Sequence, residues 1–171
     1  MTTRIRHFLV LFSVLLLSSC VAISTANITE IDRLDKDEGV IITRTQGTNL
    51  ELVGQSLVHD KDDTGIGFPL GRIGVSKESQ LIMIKVKARK NTYLSSFASY
   101  GGKAYFGKDD FNFTVQPGTV TYIGDIAAHE KFKSVTIVME DNEASTMAMA
   151  KKAAPWLFSK YAYKKSIASN R

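Results

Sequence analysis

From Gly39 to Glu140 the chain runs as short stretches of β-branched and aromatic residues separated by turn residues. Within Gln80–Ala88, Ile82, Ile84, Val86 and Ala88 fall on one side of an extended backbone, while Lys85 and Lys87 fall on the other. That is the two-residue period of a strand with one buried face. Phe111, Phe113 and Val115 alternate with Asn112, Thr114 and Gln116 in the same way. The same composition predicts strands over Val40–Arg44, Leu50–Val58 (interrupted by Gly54), Thr92–Tyr100, Lys103–Phe106, Val120–Ile126 and Ser134–Glu140. Gly101-Gly102 marks a hairpin, and His59 to Gly74 reads as a Gly/Asp-rich loop. Gln116-Pro117-Gly118-Thr119 fits a type II turn, with Pro117 fixing φ at the second place and Gly118 supplying positive φ at the third. About seven to nine short strands at this spacing predict a mainly β domain, an antiparallel β-sandwich. Phe97, Tyr105, Phe111, Phe113 and Tyr122 are the expected aromatic core.

The period changes only after Glu140. Asp141 or Asn142 suits a helix cap, an acid follows in the first turn, and Lys151 and Lys152 sit near the end. One C-terminal helix is therefore expected, stopped or restarted at Pro155 and docked through Trp156, Leu157 and Phe158. Ser159 to Arg171 reads as a frayed basic tail.

The other end carries a different signal. Arg4 and Arg6 precede an apolar run from Phe8 to Leu17, broken only by Ser13 and too short for an ordinary membrane span. Leu17-Ser18-Ser19-Cys20 follows directly. This resembles the lipobox of bacterial lipoproteins, and the resemblance implies cleavage before Cys20 and diacylglycerol on its thiol. Cys20 is the sole cysteine, so an intrachain disulfide is excluded and lipidation accounts for the lone thiol. Val21, rather than Asp, follows it, which in that family resembles an outer-membrane address. The competing reading is an ordinary secretory leader cut after Ser24-Thr25-Ala26, before Asn27. Residues 1–19 are thus a signal peptide, 20–38 a lipidated tether ending in a charge cluster, 39–158 the domain with its helix, and 159–171 the tail.

Charge changes this picture little in sum and more in distribution. From Cys20 onward there are 20 basic and 17 acidic residues, and no acid follows Glu143. Basicity belongs to Lys151–Arg171, so a nucleic-acid partner has no support.

The run Val115-Gln116-Pro117-Gly118-Thr119-Val120-Thr121-Tyr122-Ile123-Gly124 is similar to a V-x-P-G-x-x-x-Y-I-G signature. It recurs in bacterial lipoproteins with a transthyretin-like or regulatory-domain-like β-sandwich, which also carry a C-terminal helix followed by Pro. The resemblance implies fold and envelope address, and no catalytic residues to carry over.

Candidate chemistry is sparse. Asp60, Asp62, Thr64 and Gly65 mimic the start of a calcium loop, but its twelfth place is Gly71 rather than Glu. His59, Asp60, Asp62 and Asp63 remain a polar loop, without metal or cofactor assigned. Gly65, Gly67, Gly71 and Gly74 do not form a phosphate-binding pattern. Lys85, Lys87 and Arg89, with Lys90 beside them, are a basic face for anionic envelope polymer or lipid, or a solvated edge. The expected function is a membrane-anchored, non-catalytic binding or structural module, with a protein partner also open. A lipid-anchored hydrolase or lyase using His59, His129 and nearby acids is the alternative.

Overall fold

A computed structural model describes residues 28, 33–48, 54–62, 69–99, 102–131 and 134–169. Leu17, Ser18, Ser19 and Cys20 of the lipobox, and Asp63, Gly65 and Gly67 of the loop, lie outside the described residues. The protein is mainly β, in two sheets.

The first sheet is organised by β1 (Glu38–Thr48). One edge of β1 pairs antiparallel with β4 (Gln80–Lys87), from Glu38 against Lys87 to Thr45 against Gln80. Its other edge takes β8 (Thr119–Tyr122) and then β9 (Asp125–Lys131), both parallel. Outside these, β10 (Ser134–Glu140) lies antiparallel to β9, and β11 (Ala162–Lys165) lies parallel to β8. The second sheet is antiparallel: β3 (Gly71–Val75) pairs with β2 (Gly54–Asp60), β2 with β5 (Arg89–Ser99), and β5 with β6 (Gly102–Tyr105) and β7 (Asn112–Val115).

The wholly antiparallel arrangement is therefore corrected in the first sheet, where β1–β8, β1–β9 and β8–β11 are parallel. The physical reason is connection length. The entire second sheet intervenes between β1 and β8, and long connections permit parallel neighbours that hairpins forbid. The expected strand Val120–Ile126 is likewise two strands. Ile123 and Gly124 step out of the ladder between them, and the Thr43 hydroxyl donates to the Gly124 carbonyl at 2.7 Å. Among the described residues there are eleven strands, more than the alternation suggested, because Val120–Ile126 divides into β8 and β9, β3 emerges from the expected loop and β11 from the expected tail.

Between the sheets lies one apolar cluster, with Ile41, Ile84 and Ile126 from the first sheet, Ile123 from the step between β8 and β9, and Val58, Ile73, Leu94, Phe97 and Phe113 from the second. Phe111 joins it from outside β7 with φ +48, an unusual backbone for a bulky residue, while its ring meets Phe106 edge-on at 4.9 Å. Tyr105 is corrected: it is 74% exposed, because Phe106 takes the inward place beside it and the Lys103 ammonium sits over its ring. Tyr122 is fully buried, but in a second cluster on the far side of the first sheet.

That second cluster packs α1 (Glu143–Ala153) and α2 (Pro155–Lys160) on Val40, Ile42, Met83, Val120 and Tyr122. Thr146, Met147 and Ala150 are the buried positions of α1, and small residues let it approach the sheet. Asn142 is its N-cap without a side-chain cap bond, and Pro155 begins α2, where its missing amide costs nothing. Both chain ends contribute. Beyond α2, the Ser166 and Ala168 amides donate to Tyr122 and Ile123 carbonyls at 2.9 and 2.8 Å, so the described part of the tail, through Ser169, is folded rather than frayed. Ile28, in the expected tether, is buried and its amide donates to the Met83 carbonyl at 2.7 Å.

Candidate functional site

The most connected polar group in the interior is Asp125, 4% exposed at the start of β9. Arg44 on β1 reaches its Oδ2 through Nε at 2.9 Å and through its terminal nitrogen at 2.8 Å, and the Arg44 amide donates to Oδ1 at 3.2 Å. The Thr146 hydroxyl donates from the first turns of α1 at 2.8 Å. The Tyr122 hydroxyl lies 3.2 Å from Oδ1 and 3.3 Å from the Glu140 carbonyl, and accepts the Asn142 amide at 3.0 Å. Burial, with the Asp125 charge beside it, pushes the Tyr122 phenol up to about 12. A carboxylate with this many donors is fixed in place. It ties β1, β8 and β9 to the start of α1, and its oxygens are occupied by protein groups, which is a structural role.

The basic strand face is also engaged. Lys87 contacts Asp37 at 2.9 Å and Glu38 at 3.6 Å, Lys85 contacts Glu38 at 3.5 Å, and Arg89 contacts Asp60 at 2.9 Å. The hydrogen bond from Lys87 holds the Asp37 carboxyl below its ordinary range. The charge cluster at the start of β1 thus pairs with Lys85 and Lys87, and Asp60 on β2 pairs with Arg89, so these three cations are engaged by acids within the fold. Lys90 stays exposed beside them.

The polar loop is held similarly. Asp60 accepts the Asp62 amide at 3.0 Å in addition to Arg89, and Asp62 accepts the Asn91 side-chain amide at 2.8 Å. Among the described residues no group of three or more His, Cys, Asp or Glu side chains is placed to hold a metal ion. His59 follows the buried Val58 on β2 and tilts toward Tyr93, with ring centroids 6.2 Å apart. His129 follows the buried Ala128 on β9 and is exposed. Because successive strand residues face opposite ways, the two histidines lie on the outer faces of different sheets and share no centre.

Among the concavities formed by the described residues, two lie near the polar groups above. A polar cavity of about 260 Å³ opens where β5 and β7 meet the C-terminal segment, lined by Lys61, Lys90, Asn91, Asn112, Ser166 and Ser169. A groove of about 150 Å³ crosses β1 and β9 past Arg44, Gln46, Thr48 and His129. At the turn, Gly118 has φ +64, the Thr119 amide returns to the Gln116 carbonyl at 3.3 Å, and the Gly118 amide binds the Glu38 carbonyl at 2.8 Å. Pro117 and Gly118 are therefore a connection locked to β1.

Sequence reasoning passed over the Arg44–Asp125–Thr146–Tyr122 group. The usable signal was an acid set inside an apolar strand run, Tyr122-Ile123-Gly124-Asp125-Ile126, because such a charge needs a partner when buried. No family model, curated protein or solved structure matches the chain.

Proposed function

We propose that the chain is a bacterial envelope lipoprotein, cut before Cys20, held by lipid on that cysteine, and presenting a non-catalytic β-sandwich with a C-terminal helix. The observation that carries this reading is an ordered coincidence. Arg4 and Arg6, the apolar run Phe8–Leu17 and Leu17-Ser18-Ser19-Cys20 occur in sequence, and Cys20 is the only cysteine. Two or three acyl chains would anchor the protein stably, since a buried methylene is worth about 0.8 kcal/mol. Among the described residues no helix is long and apolar enough to cross a membrane. Val21 favours the outer membrane. The V-x-P-G-x-x-x-Y-I-G resemblance supports a transthyretin-like sandwich, and two sheets around a shared core fit it. For a binding role the polar cavity beside Lys90, with Asn91, Asn112, Ser166 and Ser169, is a concave place suited to an anionic envelope polymer, while Lys61 on its rim is paired with Asp109. The hydrolase or lyase alternative draws no support from His59 and His129, which the fold keeps apart.

Cys20→Ser should abolish labelling by a palmitate analogue and stall or misdirect processing. A mature N-terminus at Asn27 without lipid would overturn the anchor.

A further inference from the structure

We infer that the layer formed by α2 and the C-terminal end of α1 is the face this domain turns toward an anionic membrane leaflet, with Lys151, Lys152 and Lys160 at the headgroups. The inference rests on the lipid anchor at Cys20 and adds an orientation to it.

Chain length is the first argument. Eight residue steps separate Cys20 from Ile28, a reach of at most about 26–29 Å even when fully extended. Ile28 is fixed: it is 6% exposed, its amide is bonded to Met83, and it belongs to the apolar cluster with Met147, Ala150 and Leu157. Further along, the Leu34 amide donates to the Tyr161 hydroxyl at 3.4 Å, immediately after α2. The leash therefore departs from the helical side. A domain of this size is roughly 35–40 Å across. A leash shorter than that width, starting on the helical side, cannot pass around the domain and bring the second sheet down to the leaflet.

Charge is the second argument. Lys151 and Lys152 are exposed in the last turn of α1, and Lys160 is exposed in the last turn of α2 with its ammonium 5.3 Å from the Trp156 ring centre. None of the three has an acidic partner among the described residues, whereas the neighbouring acids are already engaged: Asp37 and Glu38 by Lys87, and Asp141 and Glu143 by Lys165. Cations at the ends of two helices, beside a half-buried Trp156 and Tyr161, match the charge and the amphipathic depth of a headgroup layer.

The test uses the lipidated protein, its acylation verified by mass, in phosphatidylcholine vesicles with and without phosphatidylglycerol. Because Cys20 is acylated, a fluorophore can be placed on a single new cysteine, Ser159→Cys on α2 or Gln55→Cys on the outer face of the second sheet. A nitroxide on the lipid headgroups should quench the probe at 159 more than the probe at 55, with the larger difference in phosphatidylglycerol. K151E/K152E/K160E should remove that increment, and should lower vesicle binding of a lipid-free form by roughly tenfold. Equal or reversed quenching in acylated protein overturns the orientation while leaving the anchor intact. An increment that survives charge reversal also overturns it, because the lysines would then contribute nothing. Absence of acyl mass instead removes the anchor reading itself.

Discussion

The two apolar clusters on either side of the first sheet are built in different ways. The one between the sheets is made mostly of strand residues, large and β-branched or aromatic and placed by local alternation, with Ala88, Phe111, Ile123 and Ala168 added from connections. The one beneath the helices is assembled from distant parts of the chain: Ile28, strands β1, β4 and β8, both helices, and Ile167 near the C-terminus. Its boundary is polar, with Asp125 receiving bonds from Arg44 and Thr146. The first cluster depends on shape complementarity, so added volume damages it most. The second depends on long-range polar ties, so it is most sensitive to loss of a partner. Segments read from sequence as tether and tail contribute Ile28, Tyr161, Tyr163 and Ile167 to this second cluster, while Ala168 reaches the first.

The largest expected effect separates these modes on the side of shape. Gly54 starts β2 against Phe97, and a Cβ at that position would overlap the buried Phe97 ring. Gly54→Val should cost about 3 kcal/mol, at the upper end of overpacking, in denaturant unfolding of the purified protein. A loss below about 1 kcal/mol would mean that the inter-sheet core is loosely packed there.

On the polar side, Asp125→Ala deprives Arg44, Thr146 and Tyr122 of their common acceptor. Breaking a buried pair costs about 3–5 kcal/mol, but Arg44 is 26% exposed and relaxes partly into water, so about 2–3 kcal/mol is expected. Hydrogen exchange should rise in α1 before it rises in β5. Uniform exchange would dissolve the distinction between the two clusters. Smaller still is Gly118→Val. No atom lies within 4 Å of the missing Cβ, so its cost is backbone strain alone, about 1 kcal/mol by melting.

What was legible in the sequence follows the same division. The inter-sheet faces of β4 and β7, the bounds of β10 and the Gly118 turn depend on neighbours two or three residues apart, and alternation or turn chemistry reports them directly. The parallel pairings of β1 depend on contacts made across most of the chain, for which no local pattern exists. Tyr105 failed through parity: β6 is a short edge strand, and a single-residue shift puts Phe106 inside and Tyr105 out. The tail looked frayed because Ala162-Tyr163-Lys164-Lys165 is polar, yet an edge strand can bond by backbone and leave such side chains in solvent. The partner of Asp125 was hidden for the same reason as the parallel order, since Arg44 is 81 residues away.

The smallest expected effect tests how the tail is held, and it is a matter of pH. The Lys165 ammonium on β11 meets Asp141 at 2.7 Å and Glu143 at 2.8 Å, at the start of α1. Its hydrogen bonds hold both carboxyls below their ordinary range, with the Tyr163 hydroxyl adding to the effect on Glu143 at 2.7 Å. For a lowered carboxyl the unfolded chain takes up protons at higher pH than the folded one. The stabilisation is therefore complete above the ordinary carboxyl range, about pH 4, and is lost as pH falls through the lowered folded values. Lys165→Gln removes the cation and leaves the acids near the positive end of the α1 dipole, so that contribution is common to both proteins. Wild type should melt above Lys165→Gln at neutral pH. The gap should close on acidification below about pH 3, and should narrow in high salt because all three groups face solvent. A gap that persists unchanged in acid would mean that Lys165 holds the tail through its aliphatic stem and backbone pairing to β8, and that the charges at this junction are incidental.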